Sequence, residues 1–211
     1  MKIGIVGAGN IGATAAKLFV KAGHEVAISN SRGPESLREL VANLGDRVQA
    51  LSLEETAKFG EIVLISIPFG KYKQLPAEAF RGKIVVDSNN YYPERDGNFP
   101  ELDQGKITSS ELLAAHLRGA RIVKAFNTIW SEHLKSQGEM SSRQADRRAI
   151  FIAGDDREAK QIVSKLIDQI GFSPIDTGNL RDGGKAQQPG SAVYNKTVTA
   201  KEAESLLTRT K

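Results

Sequence analysis

Three glycines near the amino terminus have the spacing Gly-x-Gly-x-x-Gly, in the run Gly7-Ala8-Gly9-Asn10-Ile11-Gly12. Gly7 permits a tight turn, Gly9 removes a side chain that would block a pyrophosphate, and Gly12 lets a helix and a strand pack closely. The start of the helix predicted over 11–22 supplies free amides and a positive dipole end for phosphates. Because a predicted strand precedes the motif and another follows the helix, the order of elements predicts a dinucleotide site.

The residues after the second predicted strand, Asn30-Ser31-Arg32, indicate which dinucleotide binds. An NAD enzyme usually presents Asp or Glu to the ribose hydroxyls here, but this chain has no carboxylate until Glu35. A carboxylate would repel a 2′-phosphate, whereas a hydroxyl and an arginine can hold it by charge-assisted hydrogen bonds. We therefore expect NADP, against the alternative that Ser31 and Arg32 only form a turn before Pro34.

Three further predicted strands end in segments that could contact a ring or a carbonyl group. The segments are Ile67-Pro68-Phe69, Ser88-Asn89-Asn90 and Ala125-Phe126-Asn127-Thr128. Because an open parallel sheet binds ligands outside the carboxyl ends of its strands, these segments are expected to meet at one site. Their apolar residues would form a wall for a planar ring, and their amides and hydroxyls would orient a carboxamide or a carbonyl.

The same three segments contain no histidine, lysine or acidic residue. Asp87 is expected to be buried or to cap a turn, and His133 is expected at a surface or a helix end, so no catalytic residue is assigned. Such a site suits hydride transfer between two stacked rings, because positioning then supplies most of the catalysis. The lack of an acid or base also leaves open an NADP(H)-binding sensor or interaction module without catalysis.

Short apolar runs alternate with stretches of helical period, which predicts an α/β fold of the Rossmann type, a doubly wound and mostly parallel sheet with helices on both faces. Residues 1–180 are expected to form the NADP-binding domain, and residues 181–211 a short carboxyl-terminal tail that contributes to a homodimer. The predicted strands are Lys2–Val6, Glu25–Ser29, Val48–Leu51, Glu61–Ile67, Lys83–Asp87, Arg121–Phe126, Ala149–Ala153 and Ser173–Asp176.

Capping boxes mark several predicted helix starts, since a side-chain oxygen and a Glu three residues later can satisfy free amides. The pairs are Ser52 with Glu55, Thr108 with Glu111, Asp155 with Glu158, and Thr199 with Glu202. The segment from Tyr91 to Lys106 is expected to be a long irregular loop, and loops of that length in compact domains are usually functional or disordered.

Composition limits the remaining function classes. The 211 residues include 29 Lys and Arg against 25 Asp and Glu, and no cysteine. No disulfide, thiolate nucleophile or cysteine-ligated metal is therefore available, and no metal site is predicted. The basic residues are scattered, so no nucleic-acid partner is expected. No apolar stretch approaches the roughly 20 residues that cross a bilayer, and the first residues resemble a strand rather than a signal peptide, so we expect a soluble cytoplasmic protein with no membrane partner.

Taken as a set, these motifs resemble the coenzyme F-420-dependent NADP oxidoreductase family over about residues 1 to 180. The run from Val123 to Ile129, with Ser88-Asn89-Asn90 upstream, is also similar to the cytosolic NADPH-oxidising domain of six-transmembrane metalloreductases. The resemblance implies a Rossmann-type reductase, usually dimeric, that passes hydride between NADPH and a deazaflavin (coenzyme F-420) or flavin acceptor held at the strand ends.

The resemblance also implies roles for individual residues. Gly9, Asn10, Ile11, Ser31 and Arg32 would bind the phosphates and ribose of NADP. The nicotinamide and its small-molecule acceptor would be flanked by Ile67, Pro68, Ala125, Phe126, Asn127 and Thr128. An imine or carbonyl reductase of the pyrroline-carboxylate or hydroxyacid type stays open as an alternative, because its glycine motif is similar, although such enzymes normally close the site with a large helical second domain.

Overall fold

A computed structural model describes residues 1–209, and within that range the chain forms one eight-stranded sheet. The strand order is β3-β2-β1-β4-β5-β6-β7-β8. The strands are β1 (Lys2–Val6), β2 (Glu25–Ser29), β3 (Val48–Ala50), β4 (Ile62–Ile65), β5 (Ile84–Asp87), β6 (Arg121–Ala125), β7 (Ala149–Gly154) and β8 (Ser173–Asp176).

The first six strands are parallel and follow the doubly wound order. The order in which the strands are added to the sheet reverses between the neighbours β1 and β4. The carboxyl ends of these strands therefore share one edge, as the sequence predicts. Strand β7 pairs antiparallel with β6, and β8 pairs parallel with β7. The fold is thus the expected Rossmann-type α/β fold, extended by two strands of opposite direction.

Helices connect most of the strands. They are α1 (Asn10–Lys21), α2 (Arg38–Leu44), α3 (Leu53–Phe59), α4 (Pro93–Asp96), α5 (Pro100–Asp103), α6 (Ser109–His116), α7 (Ser131–Ser136), α8 (Arg157–Gln169), α9 (Asp182–Lys185) and α10 (Ala200–Arg209). Short 3-10 helices cover Pro34–Leu37, Phe69–Gln74, Ala77–Phe80 and Gln144–Asp146. Among the residues described, no helix combines the length and the hydrophobicity that a membrane crossing requires.

Both faces of the sheet are covered, which explains the continuous apolar runs of the central strands. In β4, Ile62 and Leu64 pack in the cluster that contains residues of α1 and α8, whereas Val63 and Ile65 pack in a second cluster. That second cluster contains residues of α3, α6 and the 3-10 turns between β4 and β5. The alternation follows from the period of two in a strand and fixes which face each helix covers.

The predicted irregular loop from Tyr91 to Lys106 contains two helical turns, α4 and α5. The Asp96 carboxylate accepts the N–H of Gly70 (3.1 Å) and the N–H of Tyr92 (2.9 Å). The Tyr91 hydroxyl donates to the Asp103 carboxylate at 2.7 Å. These long-range and local bonds give the segment a defined structure that its Pro and Gly content does not suggest.

Three of the four predicted capping boxes are confirmed, at Ser52, Thr108 and Thr199. The fourth was wrong by one residue, since α8 is capped by Asp156, whose side chain accepts the N–H of Ala159. Asp155 instead accepts the N–H of Leu180 at 3.0 Å. Asp156 also binds Arg121 through two hydrogen bonds, a contact that local sequence does not specify.

The segment after Arg181 packs on the body of the fold. Gln187 and Ala203 are fully buried, and the N–H of Ala149 donates to the Val198 carbonyl (2.9 Å). Its last two residues, 210 and 211, lie outside the described residues, so the tail predicted over 181–211 is described up to Arg209.

Candidate functional site

The three glycines of the motif have different surroundings. A Cβ on Gly7, whose φ is +108°, would lie 2.0 Å from the Ser66 carbonyl oxygen, and a Cβ on Gly12 would lie 1.9 Å from the Gly7 carbonyl oxygen. The backbone packing of β1, α1 and the end of β4 therefore requires both residues. A Cβ on Gly9 would meet nothing within 4 Å. Gly9 is thus not needed for packing, and its missing side chain leaves an open cradle.

Helix α1 begins at this cradle. Gly9 is its N-cap residue, no side chain caps it, and its first turn carries no acidic residue. The first amides of a helix have no partner within the helix, and the helix dipole favours an anion beside them. Ala8, Asn10 and Ile11 are half-buried or exposed around the opening. The surroundings of Gly9 therefore fit a pyrophosphate.

The end of β2 forms a tight turn next to the cradle. The Asn30 Oδ1 atom accepts the N–H of Arg32 (2.9 Å) and the Ser36 hydroxyl (3.2 Å). Asn30 thus shapes the turn, while Ser31 and Arg32 are exposed. The ion pair at this corner joins Arg38 to Glu35, and among the side chains that the structure describes, which exclude those of 204 and 208–211, Arg32 takes part in none. The Arg32 guanidinium is therefore available for an anion such as a 2′-phosphate.

Two predicted wall residues lie in the core. Phe69 is fully buried, stacks on Tyr72 with ring centroids 4.8 Å apart, and contacts Phe99 edge to face. Phe126 is 1% exposed and contacts Phe19, and its φ of +63° turns the chain sharply after β6. Both phenylalanines support the strand ends from within the core. Of the other predicted wall residues, Ile67 is half-buried and Pro68 is exposed. Ala125 and Thr128 are buried.

Buried asparagines link the ends of β4, β5 and β6. The Asn89 Oδ1 atom accepts the N–H of Ile67 at 2.8 Å, and its Nδ2 atom has no partner. The Asn127 Nδ2 atom donates to Asn90 Oδ1 (3.1 Å) and to the Gln187 carbonyl (2.8 Å), and its Oδ1 atom has no partner. A buried polar atom without a partner costs about 1–3 kcal/mol, and a ligand group or an ordered water can satisfy it.

The two unpartnered atoms are complementary. Asn89 offers a donor and Asn127 offers an acceptor, on neighbouring strands of the sheet. A primary carboxamide carries one carbonyl acceptor and two N–H donors, so it can satisfy both atoms. The strand ends therefore carry one free donor and one free acceptor, the two kinds of group that a carboxamide complements.

A buried ion pair lies behind these asparagines. The Lys124 ammonium donates to Asp87 Oδ2 (3.2 Å) and to the Asn89 carbonyl (2.9 Å), and the Ser110 hydroxyl also donates to Asp87 (2.7 Å). The Asp87 Oδ1 atom accepts the N–H of Asn89 at 3.0 Å. Both charged side chains are 1% exposed. The ion pair holds the backbone of Asn89 in place through these hydrogen bonds. The prediction that Asp87 is buried is confirmed.

The tail contributes two residues that sequence reasoning missed. The Gln187 carbonyl binds Asn127, and the Tyr194 hydroxyl lies 3.4 Å from Asn90 Nδ2 and contacts the Tyr92 hydroxyl. Burial and the Tyr92 hydrogen bond raise the pKa of Tyr194. No motif surrounds either tail residue, and the tail reaches the site only through tertiary packing.

In the described part of the chain, none of the three histidines hydrogen-bonds to these strand-end residues. The His24 ring bonds Gln169 (3.0 Å), and burial lowers its pKa. The His116 ring bonds the Leu75 carbonyl at 2.9 Å. His133 lies in α7, and its Nδ1 atom has no partner. In the described chain, no histidine is hydrogen-bonded to the asparagines in a way that would let it act as a proton donor there.

Known proteins are similar to this chain in sequence and in fold. The sequence profile of the family described as NADP oxidoreductase coenzyme F420-dependent matches residues 2–91. Metalloreductase STEAP3 of Rattus norvegicus is 30% identical over 181 residues, which make up 85% of this chain and 34% of that protein. The chain spans about a third of the length of the curated relatives it matches.

Two solved structures extend the likeness to nearly the whole chain. The hypothetical protein SMa0349 from Sinorhizobium meliloti superposes with a TM-score of 0.82 and 30% identity, over 94% of this chain and 95% of that one. An Arthrobacter sp. fb24 protein described as a "putative f420 dependent nadp-reductase" superposes with a TM-score of 0.71 and 24% identity, over 99% and 91% of the two chains. At 24% identity, the similarity to the Arthrobacter protein shows the fold alone. At 30% identity, the similarity to the Sinorhizobium meliloti protein extends to the sequence.

Proposed function

We propose that the chain is a member of the coenzyme F420-dependent NADP oxidoreductases, whose sequence profile matches residues 2–91, and that it transfers hydride between NADP(H) and a deazaflavin or flavin acceptor. One observation carries the proposal: an open glycine cradle lies on the same sheet edge as two buried asparagines with complementary unpartnered atoms. The cradle suits a pyrophosphate, and the asparagines suit the carboxamide of a nicotinamide.

In this proposal, the amides that follow Gly9 hold the pyrophosphate, and Ser31 with Arg32 holds the 2′-phosphate of the ribose. The cradle follows β1 and Arg32 follows β2, and these two strands are neighbours in the sheet, about 4.8 Å apart. An arginine without an ion pair binds a phosphate through charge-assisted hydrogen bonds. This arrangement favours NADP(H) over NAD(H).

The carboxamide would bind between Asn89 Nδ2 and Asn127 Oδ1, which fixes the orientation of the nicotinamide ring. Asn127 can present only its oxygen, because Asn90 and Gln187 accept both hydrogens of its amide. Asn89 can present only its nitrogen, because its oxygen is bonded to Ile67. Bound NADPH supplies the hydride, and the residues of the chain determine which ring face is open to the acceptor.

The charged and phenolic groups around the strand ends are bonded to one another. Lys124 pairs with Asp87, and burial and the Tyr92 hydrogen bond raise the pKa of Tyr194, which makes its hydroxyl a weaker acid. A carbonyl or imine reductase must protonate its product, whereas transfer between two rings depends chiefly on holding them about 3 to 3.5 Å apart. The site therefore favours a planar acceptor that itself carries the redox chemistry.

The test is to mix the protein with NADPH and, in turn, a coenzyme F420-type deazaflavin, FMN or FAD, and to follow the absorbance of the reduced nicotinamide. We expect at least one acceptor to accelerate NADPH oxidation, and NADH at equal concentration to be a poorer donor. Oxidation with none of the acceptors, together with tight binding of NADP+ and NADPH, would overturn the proposal in favour of a non-catalytic sensor. We also propose a homodimer in the cytoplasm, for which a solution mass twice that of one chain is expected.

A further inference from the structure

Trp130 emerges from the buried strand-end segment onto the surface. Every residue from Ile122 to Ile129 is buried, whereas Trp130 is 56% exposed. Within residues 1–209, the other large hydrophobic side chains with such exposure are Met1 and Met140. Single exposed apolar residues are ordinary, so the position of this indole carries the argument rather than its exposure.

The backbone holds Trp130 firmly at the end of β6. Its carbonyl accepts the N–H of Leu134 (2.9 Å), which is fully buried in the core on α7. The preceding residue, Ile129, is 5% exposed and packs in the same cluster. Trp130 follows Asn127, the proposed carboxamide ligand, by three positions. The indole is therefore presented from a fixed point beside the strand ends.

Sheet geometry shows which end of the coenzyme lies near this indole. Strand β6 is three strands from β1 and four strands from β2, which at about 4.8 Å per strand corresponds to about 14 and 19 Å. The pyrophosphate cradle follows β1, and the 2′-phosphate corner follows β2. Trp130 follows β6, one of the strand ends at which the nicotinamide and its acceptor are proposed to meet, and does not follow β1 or β2.

The aromatic faces of Trp130 are free in the described chain. Phe69, Tyr72, Tyr91 and Phe99 contact one another in one aromatic cluster, and the Arg95 guanidinium lies 4.9 Å from the Tyr92 ring centroid. No ring or cation among the side chains that the structure describes contacts the indole in this way. An exposed indole with free faces can stack on a planar heterocycle, as aromatic side chains do on nucleic-acid bases.

We infer that Trp130 is the stacking platform for the acceptor and that the acceptor is a fused planar heterocycle, a deazaflavin or flavin, rather than a small carbonyl or imine compound. This inference rests on the proposed function, because the acceptor is the molecule that receives hydride from NADPH. Trp130 binds and orients the ring. It carries no proton and no electron in the reaction.

The chain contains a single tryptophan, so its tryptophan fluorescence reports on Trp130 alone. FMN, a deazaflavin and NADP+ would each be titrated into the protein while this emission is followed. We expect saturable quenching by FMN or by the deazaflavin that exceeds the quenching by NADP+, because the inference places the indole against the acceptor ring and not against the nicotinamide. Stronger quenching by NADP+ alone than by either acceptor would overturn the inference.

Variants then test the contribution of the ring to catalysis. Trp130→Ala should raise the acceptor KM about tenfold, equivalent to about 1.4 kcal/mol, with the Kd of NADPH unchanged. Trp130→Phe should recover part of that affinity, which also guards against a folding defect in the alanine variant. Met140→Ala is the matched control, because Met140 is 58% exposed and lies outside the strand ends. Its acceptor KM should equal that of the unmodified protein.

The results separate the inference from the proposed function. NADPH oxidation by a flavin or deazaflavin with an unchanged KM in Trp130→Ala would overturn the inference alone. Saturable quenching of Trp130 without NADPH oxidation would support the stacking platform and overturn the proposed function. A KM effect equal to that of Met140→Ala, or an effect on the Kd of NADPH alone, would show that Trp130 is not the acceptor platform.

Discussion

Substitution of Gly9 by alanine separates coenzyme binding from folding. A Cβ at Gly12 would lie 1.9 Å from a backbone oxygen, whereas nothing lies within 4 Å of a Cβ at Gly9. The φ of −76° at Gly9 is one that alanine adopts freely. Gly9→Ala should therefore lower the free energy of unfolding by about 1 kcal/mol at most, from the poorer N-cap residue. Gly12→Ala should cost more, because backbone must move.

The added methyl group at position 9 would occupy the space through which phosphate oxygens approach the first amides of α1. A hydrogen bond to a charged group contributes about 1.5–3 kcal/mol, so the loss of one such bond raises the Kd of NADPH about 10- to 150-fold. The loss of two bonds would exceed that range. Binding should thus fall sharply in a protein that is still folded.

The assay combines calorimetric titration of NADPH with thermal unfolding of the unmodified protein, Gly9→Ala and Gly12→Ala. Unmodified affinity for NADPH in a folded Gly9→Ala protein would refute the position of the pyrophosphate. A fall in melting temperature as large as that of Gly12→Ala would refute the open space around Gly9.

Three other measurements probe separate contacts. Arg32→Ala should raise the Kd of NADP+ about 10- to 150-fold and leave that of NAD+ nearly unchanged; equal losses in the two titrations would contradict a 2′-phosphate contact at Arg32. Lys124→Met should lower the free energy of unfolding in urea by about 3–5 kcal/mol, because the Asp87 carboxylate is then buried without its cation, and the double variant with Asp87→Leu should regain much of that loss; a small effect of Lys124→Met would argue against the pair. Arg121 holds the pKa of Asp156 in the folded protein below its usual value. The Asp156 carboxylate therefore stabilises the fold when the pH is above the pKa of the unfolded state, about 4. This contribution is lost as the pH falls toward the lower pKa of the folded state. Asp156→Asn keeps an N-cap residue but removes the charge, so its melting temperature should be lower than that of the unmodified protein at neutral pH and should converge with it in acid; a constant difference would show that the charge does not act.

Much of the fold could be predicted because its signals are local. Apolar runs bounded by turns placed all eight strands, and the glycine motif placed the start of α1 within one residue. The cap of α8 was wrong because Asp155 and Asp156 are equivalent by local criteria. Arg121, on β6, distinguishes them by binding Asp156. That choice depends on a tertiary contact, which spacing along the chain does not contain.

The candidate site was predictable at the level of strand ends and less so at the level of side chains. Phe69 and Phe126 belong to the predicted segments, yet the turns that follow β4 and β6 direct both rings into the core. Gln187 and Tyr194 come from a tail without a recognisable motif and reach the site across long sequence separations. The sequence does not show which amide atom of each asparagine lacks a partner, because that depends on the hydrogen bonds that its other amide atom makes.

The central claim is direct transfer of hydride from the nicotinamide ring of NADPH to a planar acceptor at the strand ends. The most direct measurement uses NADPH carrying deuterium on the transferable position of the nicotinamide and a deazaflavin acceptor, whose reduced ring carbon does not exchange hydrogen with water. We expect mass spectrometry to find the deuterium in the reduced deazaflavin and the initial rate to show a primary isotope effect. Reduced deazaflavin that contains only solvent hydrogen would contradict the account.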